Sequence, residues 1–286
     1  MPGQVETYFQ HNDYLPVRPV LRARLQSILD SRSSPEMRRV AIEETAYVFP
    51  LFAFNLLKLV NSSKFNLKTK IVVLKQAMTF PTLEQFADLV CIMPEYPAEL
   101  SDVLSLDRFE QHSRAAAVTV QILSSIGKRF STLDRERLFS AALFHDIGRI
   151  FLAVSDPDGY QRLVSKTDES MPRLQAERMY FGTDHATVGA LALESIGIAD
   201  ADVLSAVRLH HDVPPGFGVL VAYADRLVKR FGVGPSTGSD MAVGVETRDD
   251  AVLRVAVEET VHETIGEVLM HVLSEVDAHL APPAPR

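Results

Sequence analysis

Apolar residues recur along most of this chain at the spacing that places them on one face of a helix. In the stretch PVLRARLQSILDSR they follow that spacing and predict an amphipathic helix. Ser34 followed by Pro35 predicts the start of a second helix, because serine caps helices and proline is favoured in the first turn. No segment shows sustained apolar–polar alternation, so a sheet is not expected. The pattern therefore predicts an all-α fold.

The remaining helices are predicted from the same periodicity. A β-branched run at 71–73 interrupts one of them, but its neighbours continue the helical pattern. A Gly- and Ser-rich stretch at 231–250 indicates a loop before the last helix. The expected helices lie near 33–49, 51–63, 69–80, 82–93, 105–130, 134–148, 159–166, 172–180, 184–195, 200–211, 216–231 and 248–280.

Composition limits the classes of protein to which the chain can belong. It has 286 residues, 47% of them hydrophobic, which suffices for one large or two small domains. A net charge of −8 argues against a general nucleic-acid binder, so no DNA partner is expected. The single Cys91 excludes a disulfide framework. The N-terminus has no signal pattern, and no apolar run of membrane-spanning length is expected. We therefore predict a soluble, cytosolic protein without a membrane partner.

Histidines and aspartates in the middle of the chain are the candidate functional residues. Imidazole and carboxylate are ligands of Zn, Fe, Mn and Ni, and a cage of them can hold two ions. Placing such groups beside apolar helix faces is costly unless they pair or bind a cation. The set comprises His112, His145, Asp146, His185, His210, His211 and Asp225.

The spacing of these residues is compatible with one shared site. His145 and Asp146 end an apolar helix just before Gly148, and an aspartate has two oxygens with which to bridge two metals. His112 precedes them on a long helix, and an antiparallel helix pair would bring it level with His145. Asp225 lies mid-helix among apolar neighbours, where a carboxylate is costly unless it holds a cation.

The ordered series His, His-Asp, His, His-His, Asp resembles the HD superfamily of metal-dependent phosphohydrolases. The closer resemblance is to the HDOD family, through LLKLVNSSKF with Asn61-Ser62, ALFHDIGRIFLAVSDPDGY, and ERMYFGTDHATVGALALESIGIADADVLSAVRLHHDVPP. It spans roughly residues 15–235. It implies an all-helical fold with an N-terminal helical subdomain at 1–105, an HD-type metal-binding subdomain at 106–235, and a loop and C-terminal helix at 236–286.

The complete ligand series is also similar to that of the HD-GYP phosphodiesterases, which cleave cyclic dinucleotides. That resemblance implies two divalent transition-metal ions, Fe, Mn, Zn or Ni, with Asp146 bridging them. The first ion would be bound by His112, His145, Asp146 and Asp225, and the second by Asp146, His185, His210 and His211.

The chain departs from the HD-GYP pattern at three places. The Gly-Tyr-Pro signature is absent after the HD motif, where IFLAVSDPDGY stands instead. Arg149 occupies the place of a lysine and keeps a positive charge that could contact a phosphate. Arg108 stands where some relatives carry a glutamate that recruits a third metal, so two metals are expected.

Two functions follow from this resemblance. The first is a signalling protein that is a metal-dependent phosphohydrolase, with Asp146 and Arg149 as catalytic residues and a cyclic dinucleotide or other nucleotide as substrate. The alternative is a non-catalytic module that binds a nucleotide or a signalling partner protein. A relic site, in which the polar groups satisfy one another without metal, also stays open, as does a surface or capping role for Arg149. The lysine-rich segment 45–83 contains no acidic residue and is either a solvated face or a site that attracts an anion.

Overall fold

The all-α prediction is confirmed. The computed structural model describes residues 14–101, 103–126, 130–166, 171–212, 214 and 216–234, and no β-strand occurs within those ranges. Only an isolated parallel bridge joins Val17 to Glu95. The predicted loop at 231–250 falls largely outside the described residues. The predicted helix at 248–280, and with it the region 236–286, falls wholly outside them.

Five helices form the N-terminal half of the described chain. They are α1 (Pro19–Asp30), α2 (Pro35–Val48), α3 (Pro50–Asn61), α4 (Leu74–Ala77) and α5 (Leu83–Ile92), with short 3-10 turns at Ser63–Phe65 and Ala98–Leu100. Local caps set several boundaries. Ser34 accepts a hydrogen bond from the backbone of Met37, and Thr82 forms a reciprocal capping box with Gln85.

The helix expected at 69–80 is wrong for most of its length. Only Leu74–Ala77 is helical, and the β-branched residues before it are extended. The side chain of Asn61 explains the difference, because it donates to the carbonyl of Ile71 and accepts from its backbone N–H, both at 2.7 Å. This tertiary contact replaces the hydrogen bonds that a helix would have supplied to Ile71.

Eight helices form the second half of the described chain. They are α6 (Leu106–Ile126), α7 (Thr132–Phe144), α8 (Gly148–Ser155), α9 (Pro157–Lys166), α10 (Arg173–Phe181), α11 (His185–Ser195), α12 (Ala201–Arg208) and α13 (Gly218–Arg230). The long helix α6 packs along α7, and α13 packs against both. On the other side, α11 packs against α8 and α12. Helix α12 links the two sides, because it also packs against α7 and α13.

One large hydrophobic core joins the two halves of the described chain. It runs from Leu15 to Leu227. Helix α3 is its most apolar member, since all of its residues except Lys58 are buried, and it contacts α5, α6 and α7. The core is continuous across residue 105. The division of the chain into two subdomains at that residue therefore stays a prediction.

One stretch of the described chain combines membrane-spanning length with a sufficiently apolar composition, contrary to the sequence expectation. It is Thr132–Ser155, which covers α7 and α8. However, 89% of its most apolar window is buried by the rest of the protein, as in a core helix. The bent pair Pro35–Val48 and Pro50–Asn61 passes the same test only when joined across a 116° bend.

Candidate metal centre

The seven predicted ligands converge in the interior of the second half. His112 lies in α6, His145 and Asp146 follow α7, and His185 begins α11. The other three are His210 and His211 just beyond α12, and Asp225 in α13. Six of the seven are at most 1% exposed, and only His211 is half-buried. The structure therefore brings together all the residues that the sequence singled out.

The approach of two helices places His185 beside the HD pair. Asp184 caps α11 by accepting a hydrogen bond from the backbone of Thr187, which sets His185 in the first turn. Gly148 begins α8 directly opposite, and a Cβ atom there would lie 2.0 Å from the carbonyl oxygen of His185. The glycine after the HD pair is thus required by the close crossing of α8 and α11.

The carboxylate of Asp146 faces a different pair of imidazoles with each oxygen. Its Oδ2 lies 3.6 Å from Nε2 of His112 and 3.7 Å from Nε2 of His145. Its Oδ1 lies 2.9 Å from Nε2 of His185 and 3.6 Å from Nε2 of His210. This division is the arrangement that a carboxylate bridging two cations requires.

Asp225 and His211 complete the two groups. Oδ1 of Asp225 lies 3.0 Å from Nε2 of His112 and 3.3 Å from Nε2 of His145. Nε2 of His211 lies 2.8 Å from Nε2 of His185. In the second group, the ligand atoms of Asp146, His185, His210 and His211 all lie within 4.8 Å of one another, close enough to share one ion.

Hydrogen bonds at the outer nitrogens determine which nitrogen of each ring faces inward. Nδ1 of His112, His145 and His210 each lies 2.7 Å from a backbone carbonyl oxygen, of Val233, Ala142 and Val207 respectively. A carbonyl only accepts, so each of these Nδ1 atoms carries the proton and each Nε2 presents a lone pair. Metal-binding histidines are oriented in this way.

Several of the inward-facing atoms have no hydrogen-bond donor in the described part of the chain. Nε2 of His112 and Nε2 of His145 lie 3.1 Å apart, with a lone pair on each. Among the described residues, no donor meets either oxygen of Asp146, Oδ1 of Asp225 or Nε2 of His210 with hydrogen-bond geometry. Buried acceptors left in this way are costly. A cation between them removes the cost, so the donor set fits divalent transition metals.

The charges of the two aspartates are held by nearby cations. Burial raises the pKa of Asp146, but Arg149 and the facing imidazoles outweigh burial and hold that pKa well below its usual range. Burial likewise raises the pKa of Asp225, and Lys229 with two imidazoles brings it well below its usual range. Burial lowers the pKa of His210 to about 4, so this ring is neutral, as a ligand must be.

Arg149 is a buried residue, so the alternative of a surface position is wrong. It is 1% exposed, and its Nε lies 3.0 Å from Oδ2 of Asp146. The guanidinium therefore lies against the candidate bridging carboxylate. Its contact with a substrate phosphate stays a prediction.

Sequence reasoning gave no role to two further residues that hold the ligands. Glu177 is fully buried, and its Oε2 accepts hydrogen bonds from Nδ1 and the backbone N–H of His185, at 2.6 and 2.8 Å. Nζ of Lys229 donates to Oδ2 of Asp225 at 2.8 Å. The i,i+4 spacing of Asp225 and Lys229 was the available signal for the lysine. For Glu177, the available signal was its position at the start of the segment ERMYFGTDH, which ends in Asp184-His185.

Comparison with known proteins agrees with this architecture. Residues 15–213 match the HDOD domain. The chain belongs to the HDOD family. The matched segment of this HDOD protein ends at residue 213, before Asp225. The structure, and not the match, places Asp225 beside the other candidate ligands. No match is found among curated proteins.

Solved structures share the HDOD fold at low sequence identity. The MmoQ response regulator from Methylococcus capsulatus is 20% identical, with 91% of this chain and 98% of that chain covered and a TM-score of 0.68. A virulence factor from Campylobacter jejuni is 15% identical, with 98% of both chains covered and a TM-score of 0.65. An HDOD domain protein of unknown function from Geobacter sulfurreducens is 17% identical, with 97% and 94% covered and a TM-score of 0.52.

Proposed function

We propose that this HDOD protein is a bacterial signalling protein that binds two divalent transition-metal ions and hydrolyses a phosphodiester, in a cyclic dinucleotide or another nucleotide. One observation carries the proposal. The two oxygens of Asp146 face separate pairs of imidazole Nε2 atoms, those of His112 and His145 on one side and those of His185 and His210 on the other. We place the protein in the cytoplasm, where a nucleotide signal is available.

The proposal assigns the first ion to His112, His145, Asp146 and Asp225, and the second to Asp146, His185, His210 and His211. When bound, two such ions lower the pKa of water and withdraw charge from a phosphate oxygen. The chain supplies the orientation of the ligands. Glu177 holds the His185 ring, and Lys229 holds one oxygen of Asp225, leaving the other directed at His112 and His145.

We expect substrate access to be slow. His211 is the candidate ligand with appreciable exposure, so a phosphate would approach from its side. Arg149 lies against Asp146, and its guanidinium must turn from that carboxylate to meet a phosphate. We therefore expect low turnover even with both ions bound.

A second candidate function is a non-catalytic module that binds a nucleotide or a partner protein. Two observations favour it. Six of the seven candidate ligands are at most 1% exposed, and the cations Arg149 and Lys229 already neutralise the two aspartates. The structural neighbour MmoQ is called a response regulator, which supports the signalling part of both candidates.

Metal content and turnover test the proposal. The wild type, Asp146→Asn and the control Asp88→Asn, which alters an exposed carboxylate on α5, are reconstituted with Fe, Mn, Zn or Ni and measured by elemental analysis. We expect about two ions per chain in the wild type and the control, and loss of both from Asp146→Asn. Absence of metal from the reconstituted wild type would overturn the proposal.

Turnover is then compared between the wild type and His145→Ala, with Fe- or Mn-loaded protein and cyclic dinucleotides of guanine and adenine. Hydrolysis that disappears in the variant supports the enzyme. Equal and negligible hydrolysis in both proteins, alongside nucleotide binding by the wild type, supports the signalling module instead.

A further inference from the structure

A polar cavity separate from the His/Asp cluster lies where the two halves of the described chain meet. Its volume is about 230 Å³, and it is partly open to solvent. The residue preceding α1, the C-terminal end of α2 and one face of α6 enclose it, through Arg18, Val48, Phe49, Asp107, Glu110 and Arg114. None of these residues belongs to the His/Asp cluster.

Glu110 presents an unsatisfied acceptor at this cavity. The residue is 5% exposed, and its Oε2 accepts a hydrogen bond from Arg18 at 2.6 Å. Its Oε1 is buried and has no hydrogen-bond partner in the described part of the chain. A buried carboxylate oxygen without a donor destabilises the fold. The oxygen can accept a hydrogen bond from a ligand once the Glu110 side chain turns it toward the cavity.

Arg114 presents donors to the same cavity. It follows Glu110 by one helical turn, so both side chains lie on one face of α6. Its Nε has no hydrogen-bond partner among the described residues. Arg18 differs, because its two terminal nitrogens already bind Asp107 and Glu110. Arg114 is thus the guanidinium in this cavity that can receive an anionic group.

The charges at the cavity balance. Arg18 and Arg114 contribute two positive charges, and at about pH 8, above the pKa of about 7 to which burial raises Glu110, Asp107 and Glu110 contribute two negative charges. A ligand that carries several phosphates would bring an uncompensated negative charge to this site. A ligand with no net charge, but with a donor at one end and an anionic acceptor at the other, matches the site.

The remaining wall is formed by the half-buried, apolar Val48 and Phe49 and by the exposed Gln111. We propose that the cavity binds an α-amino acid with an apolar side chain. Its ammonium donates to Oε1 of Glu110, its carboxylate accepts from Arg114, and its side chain packs against Phe49. The volume suits a molecule of this size, below the range of about 300–1,000 Å³ typical of sites for drug-sized ligands. The inference does not rest on the proposed function.

Binding to the full-length protein tests the inference. Each common L-amino acid is screened by thermal shift, and the one with the largest effect is measured by calorimetry beside its N-acetyl and amide derivatives. Burial raises the pKa of Glu110 to about 7, so the measurement is made at about pH 8. We expect binding of the free amino acid and at least about tenfold weaker binding of either derivative, because each removes one charged contact.

Variants then locate the site. Glu110→Gln and Arg114→Gln should each weaken binding at least about tenfold, as expected for a hydrogen bond to a charged group, whereas Arg108→Gln, an exposed arginine on the same helix, should not change it. Arg114→Lys provides a second measurement should Glu110→Gln fold poorly, with weakened binding expected because lysine lacks the guanidinium fork.

Two outcomes would overturn the inference. They are the absence of binding by any amino acid and equal binding of the blocked derivatives.

Discussion

Glu177 accepts two hydrogen bonds from His185, one from the ring Nδ1 at 2.6 Å and one from the backbone N–H at 2.8 Å. Both groups are fully buried. The carboxylate therefore sets the ring orientation, and it directs Nε2 of His185 toward Oδ1 of Asp146, 2.9 Å away. In this geometry a residue outside the ligand set controls one of the ligands.

We predict that Glu177→Gln weakens metal binding without removing a ligand. Loss of an outer partner of this kind costs about 10- to 100-fold in metal affinity. The measurement is a competitive metal titration, with Glu194→Gln on α11 as the control, since that glutamate is exposed and pairs with Arg208. Unchanged affinity in Glu177→Gln would show that His185 is not a ligand or does not need this partner.

Arg149 allows a prediction that separates metal binding from charge neutralisation. Removing one partner of a buried ion pair typically costs about 3–5 kcal/mol of stability, so metal-free Arg149→Met should be destabilised by that order. Divalent ions should restore the missing positive charge beside Asp146. The rise in melting temperature on metal addition should therefore be larger in Arg149→Met than in the wild type.

The control for this comparison is Arg108→Met, which alters an exposed arginine on α6. It should leave both the metal-free stability and the response to metal unchanged. An equal response to metal in wild type and Arg149→Met would mean that no ion binds near Oδ2 of Asp146.

Metal should stabilise the fold as a whole, because its candidate ligands come from α6, α7, α11, α12 and α13 or from the residues just after them. Binding to the folded state alone adds about 2.7 kcal/mol when free metal is 100 times its dissociation constant. Chelation should remove this gain. The measurement is urea unfolding with and without chelator. Identical curves would contradict a cage formed by the native fold.

The crossing of α8 and α11 gives a prediction for Gly148. A Cβ atom there would meet the carbonyl oxygen of His185 at 2.0 Å and the backbone nitrogen of Gly189 at 2.7 Å. Neither neighbour is a flexible side chain, so the helices must separate. Gly148→Ala should cost about 3 kcal/mol, the upper part of the range for overpacking. It should also weaken metal binding, because His185 moves with α11.

Unfolding by denaturant and metal titration of the same Gly148→Ala sample check both effects. A variant as stable as the wild type would show that the two helices pack less closely than described.

The sequence by itself determined the helical architecture and the identity of the candidate ligands. The periodicity of apolar residues is a local property, and caps such as Ser34 act within one turn, so α1–α3, α5–α7 and α9–α13 could be predicted from it, whereas α8 was not. The residue types His and Asp were also sufficient to indicate a metal site, because burying them beside apolar faces is costly unless a cation or a polar partner compensates them.

Only the tertiary structure decided how these residues face one another. The extended segment at 71–73 depends on the amide of Asn61, ten residues away. The packing of α7, α8, α10 and α11 determines three further features. It buries Arg149, it brings Glu177 within hydrogen-bond distance of His185, and it directs the two oxygens of Asp146 at two separate groups of ligands. Such contacts join residues brought together by packing, and a pattern along the chain does not encode the distance or angle between side chains on different helices.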